Sequence, residues 1–269
     1  MKKLLVMTGI FFLLSGLNCW AQTTIKVGTT TGADVEILEK VQELAAKEGL
    51  TVEIIEFGDY RQVNDALVNK ELDLNAFQHQ PYLDEYNQEN KTQLVSLGST
   101  YVAPLGFFSK KIKNLNELKN SDKVAIPNDP TNGGRALLLL QKAGVIKLKP
   151  GVGLNPTTKD IIDNPKNLEI LELDAAQTAH SLDDVATAAI DNTFAIPFGL
   201  NPLRDSIYLE SVDSPYVNVI AARPEDRENP LFLRLVKVYQ SQDVADFIYS
   251  SFDNSTIPAF PHQKKTQGR

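Results

Sequence analysis

A strand-like run, Lys123 to Ile126, leads through Pro127-Asn128-Asp129-Pro130-Thr131-Asn132-Gly133-Gly134 into Arg135 and the helical run Ala136 to Leu140. A glycine-containing turn that opens a helix presents free backbone amides, which favour an anion. Arg135 adds a planar fork of donors that matches a carboxylate in two places. An arginine near a helix start works against the helix dipole, so its presence calls for another benefit. The turn lacks the glycine-lysine-serine ending of a phosphate loop. Carboxylate capture is therefore the expected chemistry, and the alternative is an arginine on an ordinary surface.

Two further blocks carry side chains suited to a small ligand. Asn75-Ala76-Phe77-Gln78-His79-Gln80-Pro81-Tyr82 follows a strand pattern and opens a helix. In open α/β sheets, ligands sit beyond the carboxyl ends of strands. Phe77, His79 and Tyr82 there suit an apolar or sulfur-containing group, although aromatics at such spacing also build cores. The late segments Ala188-Ala189-Ile190-Asp191-Asn192 and Tyr216-Val217-Asn218 end or begin strands in amides that can both donate and accept. Asn192 also suits a turn.

The elements that position these blocks alternate. Thr24–Val27, Thr51–Phe57 and Leu72–Ala76 read as strands; Ala33–Glu48, Gln62–Asn69 and Pro81–Asn90 read as helices. This order predicts helix-covered parallel sheets. Strands then recur at 123–126, 168–171, 186–190 and 217–222, a strong helix falls at 132–143, and helices close the chain at 229–249. No flexible linker separates the halves. Two lobes joined by ordered hinge strands are therefore expected, with crossings near 101–108 and 215–222. The boundaries follow as residues 22–104 and 222–260 for lobe 1, 105–221 for lobe 2 and 261–269 for a C-terminal tail. A cleft between such lobes is a common place for a small ligand.

The N-terminus reads as an export signal over residues 1–21. Lys2 and Lys3 precede an apolar run, Leu4 to Leu17, that is short for a membrane span. Two processing routes stay open: cleavage between Ala21 and Gln22, or lipid attachment at Cys19, where Gly16-Leu17-Asn18 is a poor lipidation context. Both place the chain in the periplasm or at the cell surface. The lone cysteine forms no internal disulfide. Without the signal, 25 basic residues face 34 acidic ones, which disfavours nucleic acid as a partner. With His79, His180 and His262 the only histidines, neither a metal site nor a hydrolase triad is expected, and no cofactor.

The stretches Asn75 to Asp84, Ile126 to Leu140, Asp183 to Asn192 and Tyr216 to Arg223 resemble the NlpA/MetQ family of methionine-binding proteins that serve ATP-driven methionine importers. The similarity runs over nearly all of Thr24 to Phe260. It implies a two-lobed periplasmic binding protein of the type with two hinge crossings, built as a monomer. It implies L-methionine as ligand and an inner-membrane ABC permease as partner. By the same resemblance Arg135 holds the ligand carboxylate, Phe77, His79 and Tyr82 surround the thioether, and Asn192 and Asn218 bind the head group. Another small amino acid, a methionine-containing dipeptide, or an exported enzyme of related fold are the alternatives. In the open form a cleft-facing Arg135 is hydrated, so stability without ligand is expected not to depend on it.

Overall fold

A computed structural model describes residues 24–263; the expected signal, Cys19 and most of the tail lie outside them. The first lobe begins with β1 (Thr24–Thr30), α1 (Ala33–Lys47), β2 (Thr51–Phe57), α2 (Tyr60–Val68), β3 (Leu74–His79), α3 (Gln80–Asn90) and β4 (Val95–Val102). Ile37 and Val41 of α1 recur one turn apart beside Leu38 and Ala45, and all four are buried against the sheet. Gly49, at φ 75°, follows the end of that helix in a conformation that favours glycine.

The chain then enters a second lobe. It contains β5 (Gly106–Phe108), β6 (Lys123–Pro127), α4 (Pro130–Lys142), a small hairpin of β7 (Lys147–Leu148) and β8 (Ile161–Asp163), β9 (Glu169–Leu173), α5 (Ala175–Thr178), β10 (Thr187–Ile190), α6 (Asn192–Ala195), α7 (Pro202–Asp205) and β11 (Ser206–Leu209). It returns through β12 (Val217–Ala222), α8 (Pro230–Tyr239), α9 (Gln242–Ser251) and β13 (Ile257–Pro258).

The six-stranded sheet has the order β13-β4-β12-β3-β1-β2 and the five-stranded sheet the order β11-β5-β10-β6-β9. The parallel expectation holds for β3-β1-β2 and for β10-β6-β9. It fails for the crossing strands: β12 runs antiparallel to both β3 and β4, and β5 antiparallel to β10. A helical crossover returns a strand in the same direction. A chain that leaves one lobe and comes back through adjacent strands must reverse. Residues 217–221, expected in lobe 2, fall in β12, which is hydrogen-bonded inside the six-stranded sheet. The two connections therefore fall at 103–105 and 210–216.

Each sheet is covered on both faces. One face of the first sheet packs on α1, α8 and α9 through residues such as Ile37, Phe232 and Ile248. Its other face packs on α2 and α3 through Leu67 and Leu83. Every residue of β3 is buried as a result. In the second lobe Leu137 and Leu140 of α4 cover one face, and Leu182 lies among the side chains on the other.

Candidate functional site: the seam between the lobes

The lobes meet along the carboxyl ends of β3, β6 and β10. His79 at the end of β3 contacts Asn132 on α4, with Nε2 and Oδ1 3.0 Å apart. Thr193 on α6 donates to Asp34 on α1 at 3.0 Å. Asn155 of the second lobe donates to Glu85 of the first at 2.6 Å. The Tyr60 ring of α2 packs 5.3 Å from the Phe194 ring of α6. Gly32, the residue before α1, has φ 69°, and a Cβ placed on it would lie 2.6 Å from the Thr193 carbonyl oxygen. A side chain there would strain the backbone and meet the opposite lobe.

The sequence around α4 builds one wall. Asp129 is the N-cap, accepting from the Asn132 amide at 2.9 Å, and Pro130 takes the first helical position. The free amides expected at this helix start are thus already served by a carboxylate. A Cβ on Gly134 would lie 2.8 Å from the Leu154 carbonyl oxygen, so this glycine lets the 154–156 loop pack against the helix. Arg135 is the sixth residue of the helix, in its second turn, and lines the seam.

The Arg135 side chain is only 2% exposed. Its Nε donates to both Glu210 carboxylate oxygens, at 3.1 and 3.2 Å. Its Nη2 pairs with Glu210 and also donates to the Ala103 carbonyl at 2.8 Å. Its guanidinium carbon stacks 4.4 Å from the centroid of the Tyr216 ring. Nη1 makes no hydrogen bond among the described residues and lies 4.0 Å from Asp191 Oδ2. Burial opposes the Arg135 charge, but Glu210, and after it Asp191, outweigh that and hold its pKa above the ordinary value. With the lobes in contact Arg135 is buried: Glu210 occupies the Nε–Nη2 edge, and Nη1 is the nitrogen left without a hydrogen bond among the described residues.

A small cavity lies beside it in the seam. Arg135 and Asp191 line it side by side. Phe77, His79 and Tyr82 all line it, as does Asn218, whose side chain has no hydrogen bond among the described residues. Tyr60 joins the aromatic wall, 5.8 Å from Phe77 and 5.9 Å from Tyr82 between ring centroids. Asn192 does not line the cavity, although its neighbours Asp191 and Thr193 do. Its amide nitrogen faces the Ser255 carbonyl and Thr256 hydroxyl at 3.3 Å, and its buried Oδ1 has no donor. Sequence reading missed Tyr60, Asp191, Tyr216 and Glu210. Asp191 stood beside a selected asparagine, whereas nothing local marks Glu210.

The electrostatics favour a neutral histidine. His79 Nδ1 accepts the Tyr82 amide at 3.1 Å, so the ring proton resides on Nε2 and points to Asn132. Burial, and next the Arg135 charge, pushes its pKa down to about 3. Burial raises the Asp191 pKa, with Arg135 opposing that rise. For a base with a depressed folded pKa, protonation favours the unfolded chain. Stability should therefore be lost as pH falls from about 6.5, the unfolded value, toward the folded one. Melting curves from pH 7.5 to 4.5 should show a steeper loss for the parent than for His79→Gln; equal slopes would mean that His79 protonates freely in the fold.

A two-lobed α/β molecule whose seam holds a cavity lined by an arginine, an aspartate and several rings is a substrate-binding protein of the periplasmic type. No helix among the described residues is long and apolar enough to cross a membrane. The chain belongs to the NlpA lipoprotein family, whose model matches residues 25–260. It is 48% identical over 236 residues, 87% of each chain, to the D-methionine-binding lipoprotein MetQ of Salmonella typhimurium. A nutrient-binding protein from Burkholderia cenocepacia, solved bound to methionine, is 50% identical with a TM-score of 0.86, covering 88% of this chain and 100% of its own. The crystal structure of the methionine-binding protein MetQ is 45% identical with a TM-score of 0.86, covering 88% of this chain and 98% of its own.

Proposed function

We propose that this chain captures methionine at the seam of its lobes, outside the cytoplasm, and presents the closed, loaded form to an ATP-driven methionine permease. The supporting observation is the lining of the cavity, which brings Arg135 and the neighbouring Asp191 together with the rings of Phe77, His79 and Tyr82. The ligand carboxylate would meet Nη1 of Arg135. The ammonium would face Asp191, with the uncommitted amide of Asn218 as a further partner. The thioether would lie among Phe77, His79 and Tyr82, where sulfur over a ring is worth about 0.3 to 1.5 kcal/mol per contact. A glutamine or arginine side chain in that place would leave polar groups buried without partners. Contacts made to both lobes at once favour the closed form.

The relatives are binding proteins, and this reading assigns the chain no covalent step. Their description as lipoproteins supports lipid attachment at Cys19 as the reading of the N-terminus.

Protein stripped of ligand by unfolding and refolding, then titrated calorimetrically, should bind methionine well above glutamine or arginine. Both enantiomers belong in the series, because the relatives' names carry the D form. Tighter binding of either polar amino acid would overturn the assignment.

A further inference from the structure

Arg135 is held by both connections between the lobes. Ala103, in the first connection, accepts from Nη2 at 2.8 Å; Glu210, at the start of the second, takes the Nε–Nη2 edge. The connections are also joined directly: the Leu105 amide donates to the Glu210 carboxylate at 3.2 Å, and the Glu210 amide donates to the Leu105 carbonyl at 2.9 Å. Tyr216, at the end of the second connection, stacks on the guanidinium. The Glu210 side chain is 13% exposed, so its charge is poorly screened.

A carboxylate of the protein's own therefore already neutralises the cation that the proposed function gives to the ligand. We propose that Glu210 is a positioning residue that sets how strongly the cleft prefers a free carboxylate over a blocked one. It takes the Nε–Nη2 edge of the guanidinium, which leaves Nη1 for a ligand, and it offsets the positive charge there. A ligand carboxylate then meets one donor group of a compensated pair, not a bare arginine. The inference rests on the methionine reading, and the test separates the two.

L-methionine and L-methioninamide, in which a neutral amide replaces the carboxylate, are titrated into the parent and Glu210→Gln. Glutamine keeps an acceptor for Nε–H and removes the charge. The ratio of methionine to methioninamide affinity should rise by about ten- to a hundredfold in the variant, because the uncompensated Arg135 then acts on the ligand carboxylate alone. A purely structural role would weaken both ligands together and leave the ratio where it was, which would overturn the proposal, as would a fall. Should the glutamine variant fail to fold, Glu210→Asp keeps the charge but withdraws it by one methylene. The ratio should then rise by a smaller factor, and an unchanged ratio again refutes the idea. Failure of the parent to bind methionine would instead strike the functional reading.

Discussion

Arg135→Ala should weaken methionine binding by about 30-fold to several thousandfold, the range for deleting one member of a desolvated charge pair. It should also lower the melting temperature of the ligand-free chain. Glu210 and Asp191, 13% and 12% exposed, would lose their shared cation. Breaking a buried pair costs about 3 to 5 kcal/mol, which in a chain of this size corresponds to a drop of about 6 to 20 °C. Parting of the lobes would return water to both carboxylates, so the smaller drop is the expected one. Arg135→Ala combined with Glu210→Gln should recover much of the stability and none of the binding. That pairing separates the two losses, with calorimetry reading one and thermal unfolding the other. Near-parent affinity in the single variant would remove Arg135 from the site.

The same residue marks how far sequence carries. Its place a few residues beyond a strand end, beside two glycines, is local, and so is the strand–helix alternation that predicts two α/β lobes. Phe77, His79 and Tyr82 are likewise legible, since each stands where β3 passes into α3. Glu210 is 75 residues from Arg135 in the chain. Its pairing exists only because the two connections run side by side, and no spacing rule reports that. The antiparallel course of β12 is hidden for a related reason: its apolar run, Val217 to Ala222, fits either direction. Asn192 shows the converse limit. Its residue type suits a head group, but the turn into α6 directs its neighbours Asp191 and Thr193 into the cavity and its own amide nitrogen toward Ser255 and Thr256.

Gly32→Ala should impair closure more than folding. At φ 69° a side chain is strained in any arrangement of the lobes, at a cost of about 1 to 3 kcal/mol. That part appears as a lower melting temperature with or without ligand. The Thr193 carbonyl, 2.6 Å from the added carbon, belongs to the opposite lobe and is met only when the lobes touch. That part falls on affinity. Methionine should bind at least about tenfold more weakly, the equivalent of about 1.4 kcal/mol. Small-angle scattering with saturating methionine should show a larger radius of gyration than the parent. Parent-like affinity and dimensions would mean that the seam yields to a methyl group, and that Gly32 serves only the start of α1.

The residues that line the cavity are themselves nearly all hidden from water: Phe77, His79, Tyr82, Arg135 and Tyr216 are each at most 8% exposed. A molecule held among them is covered by side chains of both lobes. Its residence time is then governed by how often the lobes part, a collective motion of the microsecond-to-second class. An excess of competing ligand cannot hasten departure, because the competitor waits on the same event. Release on demand falls to whatever can grip both lobes and separate them. A tight grip in dilute surroundings and a prompt delivery at the membrane are thereby compatible in one protein, since the first depends on the seam and the second on who opens it.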